Sequence, residues 1–556
     1  MRPAGLRLLS ILVVALVVLG PLGLLLYQSL LSAPFFDPKA EYSLDAFRYI
    51  FSSSDFHQAF ATSFLISLGM TIIAVPLGSV LGFLVVRTDL PGRRWLEPWF
   101  LVPVFLSPVV VAFGYVVAVG PVGFLSLWIK SLVGKVPWNL YSLFGLILIA
   151  GLTHVPHVFL YVSSSLRSLD PSVEEAARVI GAGPWRICFT VSLPLVRPAI
   201  LFSSSLVFLL GFELFGLPLV LGDPAGLLVL TTYLYKLTNI LGVPSYQLMA
   251  VVALSIVLVT FPLVYLQRRL LGAASRYAVI RGKGQAFRSL SLGFLRWPML
   301  ALVLLWLAVV VVLPLAGVAL RSLVQNWGEG VELLSVLTLD HFRELVNYPN
   351  LIRGIINTMV LGTVGGALAV AAYAMVALAS HRWRSSGAAL LDYLVLLPRA
   401  LPGLVVGLAF FWVFLFFKPV SALRSTLFSL WLAYTVVWLA YGLRLISAAL
   451  LQVGSELEEA ARVTGASQGL VYRDVTLPLI RFGLLGSWLL IFMMFVREYS
   501  TGVYLLGPGT EVIGSLIVSL WGTGALDLIS ALSVIEVAIV GLALFVALRL
   551  GVRLDV

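Results

Sequence analysis

Apolar runs of about 20 residues, the length an α-helix needs to cross the hydrocarbon core of a bilayer, recur along this chain from end to end. They fall at roughly 8–31, 60–86, 96–119, 141–165, 198–221, 246–267, 297–320, 354–380, 390–416, 425–450, 482–506 and 527–548. Alternating barrel-type strands are absent from them, and lipid tolerates no open sheet edge, so helices are the reading. Charged residues make up 11% of the chain, against about 25% in soluble globular proteins. The expected fold is an all-α integral membrane protein with about twelve transmembrane helices.

A formal charge of +11 would suit a nucleic-acid partner if it were clustered, but its distribution points elsewhere. With Arg2 and Arg7 on the cytoplasmic side, most of the 36 Lys and Arg residues fall in cytoplasmic segments, the positive-inside asymmetry that orients membrane proteins. Both termini are then cytoplasmic, and the lipid bilayer rather than nucleic acid accounts for the charge. Arg399, Arg444 and Arg497 lie within or beside spans. The first run is too long for a signal-peptide core and no small-residue cleavage pattern follows before Asp37, so it is expected to remain as a helix. Cys188 is the one cysteine, which excludes an intramolecular disulfide and a Cys-based metal cluster.

The chain is a duplication. Ser43-Leu44-Asp45-Ala46-Phe47-Arg48 returns 295 positions later as Thr338-Leu339-Asp340-His341-Phe342-Arg343, and Pro103 returns as Pro398. Farther on, Glu174-Glu175-Ala176-Ala177-Arg178-Val179 returns 284 positions later as Glu458-Glu459-Ala460-Ala461-Arg462-Val463. A shorter loop between the third and fourth helices of the second half would produce that drop. An even number of spans per half makes the halves parallel repeats with a pathway at their interface. Residues 1–270 form the first repeat and 297–556 the second. Between them, 271–296 reads as a basic cytoplasmic linker with no acidic residue.

Two loops, at about 166–198 and 452–481, carry the most information. The first reads Glu175-Ala176-Ala177, three residues, Gly181, nine residues, Val191-Ser192-Leu193-Pro194; the second reads Glu459-Ala460-Ala461, three residues, Gly465, nine residues, Val475-Thr476-Leu477-Pro478. Asp170-Pro171 suits an N-cap followed by proline in the first turn, and Ser455 with Glu458 has capping-box spacing. The Glu-Ala-Ala-Arg stretch favours helix, and Gly181 or Gly465 lets the chain turn. A second short helix can start near Pro184 or Ser467, and Leu-Pro is expected to stop it before the next span. Each loop is thus a helix–turn–helix at the membrane surface.

This pattern resembles the EAA loop of ABC-importer permeases, with Val191 and Val475 where that family usually has Ile. The resemblance implies the type I permease fold in two parallel six-helix repeats, in a bacterial inner membrane. It also implies that Glu175, Ala176, Ala177, Gly181 and Pro194, with Glu459, Ala460, Ala461, Gly465 and Pro478, seat two copies of a separate ATP-binding subunit. An extracytoplasmic solute-binding protein would dock on the opposite face, and transport would proceed by alternating access. Arg87-Thr88-Asp89-Leu90-Pro91-Gly92-Arg93-Arg94, Phe212 to Pro218, and Arg497-Glu498-Tyr499-Ser500-Thr501 look like the fused permeases of ferric-iron importers. Permeases for thiamine, polyamines, phosphonates and sugar phosphates share much of this frame and remain alternatives.

A major-facilitator-type secondary transporter also has twelve helices in two halves, and Asp89-Leu90-Pro91-Gly92-Arg93-Arg94 is similar to its loop between helices two and three; paired EAA loops have no place in it. The sequence contains no Gly-x4-Gly-Lys-Ser/Thr phosphate loop and no His-Glu-x-x-His zinc pattern. A non-catalytic subunit without a cofactor is expected. Ionisable groups at bilayer depth are costly and mark pathways. Glu213 and Glu498, in the fifth helix of each half, are substrate-path candidates for a cation, the alternative being structural pairing such as Glu498 with Arg497. Glu536 reads as a buried helix–helix contact. His154 and His157 are weak metal candidates: one imidazole pair supplies too few ligands, and a proline-kinked packing motif competes.

Overall fold

The computed structural model describes residues 3–239, 245–276, 290–381 and 388–552. Ten helices are long and apolar enough to cross a membrane, or twelve when each of two bent pairs is taken as one span. We number them in chain order. The first half holds span 1 (Leu8–Ser29), span 2 (Ser54–Arg87), span 3 (Pro108–Val133), span 4 (Leu143–Ser168), span 5 (Cys188–Glu213) and span 6 (Tyr246–Gln267). The second holds span 7 (Gly293–Ser322), span 8 (Pro349–His381), span 9 (Tyr393–Ala400 with Gly403–Phe416), span 10 (Leu427–Val437 with Leu439–Leu451), span 11 (Gln468–Val496) and span 12 (Leu526–Arg549). Among the described residues the only β pairings are isolated bridges. The all-α, two-repeat expectation holds.

Each half is built on three mutually packed helices, spans 2, 4 and 5 in the first and spans 8, 10 and 11 in the second. The leading helices cross over: span 1 packs on spans 8 and 9 of the second half, and span 7 packs on spans 3 and 4 of the first. Small residues make the second crossing possible, since apolar side chains gain little from leaving lipid and helices associate by close backbone approach. A Cβ on Gly114 would stand 2.4 Å from the Pro314 carbonyl oxygen, and one on Gly317 would stand 2.8 Å from that of Gly114. The Tyr115 hydroxyl donates to the Val309 carbonyl at 2.9 Å across the same contact.

The third segment of each half is not the single rod expected at 96–119 and 390–416. A helix over Arg93–Phe105 ends before a second over Pro108–Val119, and the two parts of span 9 meet at 107°. The cause is local. Ser107 precedes Pro108 and Leu401 precedes Pro402, and both are extended, with ψ 126° and 116°; proline disfavours a helical predecessor and brings no N–H of its own. The fifth runs, expected at 198–221 and 482–506, also overshoot: the helices end at Glu213 and Val496. Leu217, Val220 and Leu221 beyond the first end are almost fully buried. Hydropathy cannot separate such a short, protein-buried helical turn from the end of a span.

The shorter loop deduced from the change in repeat offset is present. The first half carries an extra helix, Phe124–Val133, where the second has only Lys418–Ser421. The middle of the expected linker, 277–289, lies outside the described residues, as do Arg2 and the last four positions. The chain returns at Leu290, whose N–H donates to the Arg87 carbonyl at 2.8 Å and whose carbonyl accepts from Asp89 at 3.1 Å.

Candidate functional site

The two repeated loops fold alike. Pro171–Val179 and Ser455–Val463 are helices, closed by Gly181 at φ 82° and Gly465 at φ 91°. Gly181 N–H donates to Arg178 at 2.9 Å and Ala182 N–H to Ala177 at 3.0 Å; Gly465 and Ala466 repeat this to Arg462 at 2.9 Å and Ala461 at 3.1 Å. That double bond is the Schellman closure, which requires the left-handed backbone glycine adopts freely. Asp170 caps the first helix as expected, accepting from the Ser172 N–H at 2.9 Å; this bond holds its carboxyl below the usual range. The capping position expected at Ser455 falls one residue earlier. Gly454 occupies the cap position without a side-chain bond, and Glu458 turns inward instead.

The Leu-Pro pairs do not stop the short second helices. Pro184–Ile187 runs through a π-turn at Cys188–Ser192 into Leu193–Glu213, and Gln468–Val471 runs through Tyr472–Thr476 into Leu477–Val496. The wider turn re-routes hydrogen bonding to i→i+5 just where Pro194 and Pro478 lack an N–H, so the helix continues. Each short helix is therefore an extension of span 5 or span 11.

Of the residues singled out, Glu175, Ala176, Glu459, Ala460, Gly181, Gly465, Pro194 and Pro478 are exposed, and Ala177 and Ala461 half-buried. The sequence reading missed the preceding glutamates. Glu174 and Glu458 are 5% and 3% exposed. Ser192 Oγ donates to Glu174 at 2.8 Å and Thr476 Oγ1 to Glu458 at 3.0 Å, so each clamps the two arms of its loop. In the first half Arg87 Nη2 lies 3.4 Å from the same Glu174 oxygen and donates to the Leu166 carbonyl at 2.8 Å, joining the ends of spans 2 and 4 to the clamp. The signal was available: a hydroxyl residue precedes Leu-Pro in both copies. Around the turns Val179, Ile180 and Val463 are 86%, 85% and 89% exposed, an apolar tip on each loop.

The far ends of spans 5 and 11 meet at the interface between halves. Phe215 and Tyr499, equivalent at the 284 offset, stack with centroids 6.0 Å apart and planes 7° from parallel, and the Tyr499 hydroxyl accepts from the Gly216 N–H at 2.8 Å. The expected carboxylates flank this contact but differ. Glu213, the last residue of its helix, has Arg399 Nη1 at 3.9 Å from one oxygen, and its other oxygen is without a partner among the described residues. Glu498, just past its helix, is buried and receives Trp438 Nε1 at 3.2 Å, Ser500 Oγ at 3.0 Å, and Thr501 N and Oγ1 at 3.1 and 3.0 Å. Pairing of Glu498 with Arg497 does not occur; that guanidinium lies 6.0 Å from the Trp438 ring centre.

His154 and His157 stack at 5.3 Å, with His154 Nδ1 on the Ala150 carbonyl at 2.7 Å. Span 4 continues through Pro156. Among the described residues no three His, Cys, Asp or Glu side chains are grouped to hold a metal. Glu536 is buried in span 12, as expected, with neither oxygen hydrogen-bonded among the described residues. Cys188 is 8% exposed at the start of the π-turn.

Two parallel halves, each sending a rigid helix–turn–helix to one end and a broken helix to their shared interface, define a duplicated membrane permease. The chain belongs to the family of binding-protein-dependent transport system inner membrane components, whose profile matches residues 74–272 and 374–555, once in each half. It is a multi-pass inner-membrane protein. It is 25% identical over 430 residues to the ferric transport system permease protein FbpB of Actinobacillus pleuropneumoniae, covering 75% of this chain and 60% of that one. It is 31% identical over 159 residues to the molybdenum transport system permease protein ModB of Escherichia coli K12, 29% of this chain and 69% of that one. It is also 31% identical over 229 residues to the putative 2-aminoethylphosphonate transport system permease protein PhnU of Salmonella typhimurium LT2, 40% of this chain and 77% of that one.

Two contrasts follow. Glu174→Ala should open the first loop to proteolysis between 170 and 192, because removing a buried acceptor that holds two donors costs about 1–3 kcal/mol. Glu175→Ala, at an exposed site, should leave the cleavage rate unchanged. Glu498→Gln should lower the thermal midpoint in detergent, since either amide orientation sets an NH2 against a donor, again at about 1–3 kcal/mol. Glu213→Gln, with an oxygen that bonds nothing, should leave the midpoint within error.

Proposed function

We propose that this chain is the membrane subunit of an ATP-driven importer, with the two repeated loops as docking sites for two copies of a separate ATP-binding subunit. The observation that carries this reading is the continuity of each loop with span 5 or span 11. An apolar tip held on a rigid helix can seat in a soluble partner and pass its movement to the interface between halves. The Glu-Ala-Ala-Gly positions of the EAA pattern then act as the coupling surface, with both termini on the same, cytoplasmic side. An extracytoplasmic binding protein delivers solute to the opposite face. The hydrolytic work belongs to the partner, as this sequence has no phosphate loop.

Ferric iron is the solute we assign, supported by a ferric permease relative that matches 75% of this chain. Glu213, with an unengaged carboxylate oxygen beside the interface, supplies an oxygen ligand of the kind a hard cation accepts. An oxyanion is the second reading. Arg399 and Arg497 beside the interface supply cations of the kind an oxyanion accepts, and the molybdenum and phosphonate permeases among the relatives accord with this. Uptake of radiolabelled ferric iron, molybdate and 2-aminoethylphosphonate should be compared in cells with and without the chain, its ATP-binding and solute-binding partners being present throughout. Chain-dependent uptake of iron alone is expected, and Glu213→Gln should slow it while assembly persists. Chain-dependent uptake of an oxyanion without iron would overturn the iron assignment.

A further inference from the structure

The motif Arg87 to Arg94 takes no part in the coupling surface or the interface path, except through Arg87. Thr88 and Asp89 pair with Leu290, and Asp89 also accepts the Leu292 N–H at 2.8 Å, which directs its carboxylate towards the incoming span 7. Gly92, at φ 71°, then reverses the chain into the Arg93–Phe105 helix. This folding leaves a cavity of about 230 Å³ lined by Val85, Val86, Arg93, Arg94, Glu97 and Arg167. Arg167 is paired with Glu97, and Arg93 donates to the Thr88 carbonyl. Arg94 forms no ion pair or hydrogen bond among the described residues, so the cavity holds a net positive charge.

Its surroundings are those of a membrane–water boundary. Trp95 and Trp99, one turn apart on the Arg93–Phe105 helix, are 84% and 55% exposed, and Phe294 and Trp297 at the start of span 7 are 86% and 57% exposed. Amphipathic aromatic rings collect at headgroup level. The cavity also lies beside the Arg87–Glu174 clamp, at the end of the molecule that bears the repeated loops. The residues around this cavity are not repeated at the matching positions of the second half. At the 295 offset Arg93 and Arg94 correspond to Ala388 and Ala389, and at the 284 offset Arg167 corresponds to Leu451.

We propose that this cavity binds the phosphate of an anionic phospholipid, with Arg93 and Arg94 holding the headgroup and the exposed tryptophans bordering its glycerol and upper acyl region. Basic pockets between transmembrane helices on the cytoplasmic side suit such headgroups. The site is separate from the importer assignment and stands or falls without it.

The test uses the full chain purified in a neutral detergent, titrated with dioleoylphosphatidylglycerol, dioleoylphosphatidylcholine or inorganic phosphate, with adducts counted by native mass spectrometry. Phosphatidylglycerol should bind with preference over phosphatidylcholine, and Arg93→Gln/Arg94→Gln should weaken it roughly thirty-fold, about five-fold for each arginine near the surface. Millimolar inorganic phosphate should leave the lipid adduct in place. If the double variant fails to fold, Arg94→Gln alone, which breaks no bond of the fold, should show the loss of about five-fold. Equal retention by variant and parent, equal binding of the two lipids, or displacement of the lipid by inorganic phosphate would each overturn the assignment.

Discussion

A backbone N–H or C=O left bare in hydrocarbon costs several kcal/mol, so a chain in lipid can interrupt a helix only where protein covers the break. Helix breaks fall before Pro108 and Pro402 and after Glu213 and Val496, and at three of them side chains take up freed backbone groups. The Ala400 carbonyl accepts from Thr260 Oγ1 at 2.5 Å, the Leu214 carbonyl from Thr231 Oγ1, and the Glu498 carbonyl from the Tyr434 hydroxyl at 3.3 Å. The Gly216 N–H goes to the Tyr499 hydroxyl. Two of these contacts, Thr260 to Ala400 and Gly216 to Tyr499, join the two halves, and the crossing of spans 1 and 7 into the opposite half adds to the enclosure.

The same constraint gives the repeated loops their mechanical character. Pro184 to Glu213 is one helical path through a π-turn, roughly 45 Å long at 1.5 Å per residue. It begins on the exposed loop and ends two residues from the Phe215–Tyr499 stack. Span 11 repeats the path from Gln468 to Val496. In the proposed importer, a partner that moves the two apolar tips would move both ends of that stack. Glu174 and Glu458 keep the loop arms from moving independently of the helices they serve.

The sequence pattern disclosed the helices, the duplication and the form of the loops because each rests on local chemistry: length of apolar run, offset between copies, and glycine at a left-handed turn. It failed where apolarity has two causes. Leu217 to Leu221 are as hydrophobic as a span because they are buried in protein, and the breaks at Ser107 and Leu401 are written in the prolines that follow, which a count of apolar residues passes over. The polar contacts were less legible for a related reason. Glu175 and Glu459 stood out by motif, yet the inward Glu174 and Glu458 bond to residues 18 positions away. Glu498 was weighed against its neighbour Arg497, whereas its donors come from Trp438 and from the turn that follows.

The most direct test of the coupling role is zero-length to short-range cross-linking from the apolar tips, in a Cys188→Ser background that removes the buried native thiol. Val179→Cys and Val463→Cys should each cross-link to an ATP-binding subunit in the assembled complex, and the double variant should capture two copies on one chain. Both cysteines should be shielded from a soluble thiol reagent once the partner is bound, and reactive without it. Failure of either tip to cross-link or to be shielded in a complex that is assembled and active would contradict the two-loop coupling role.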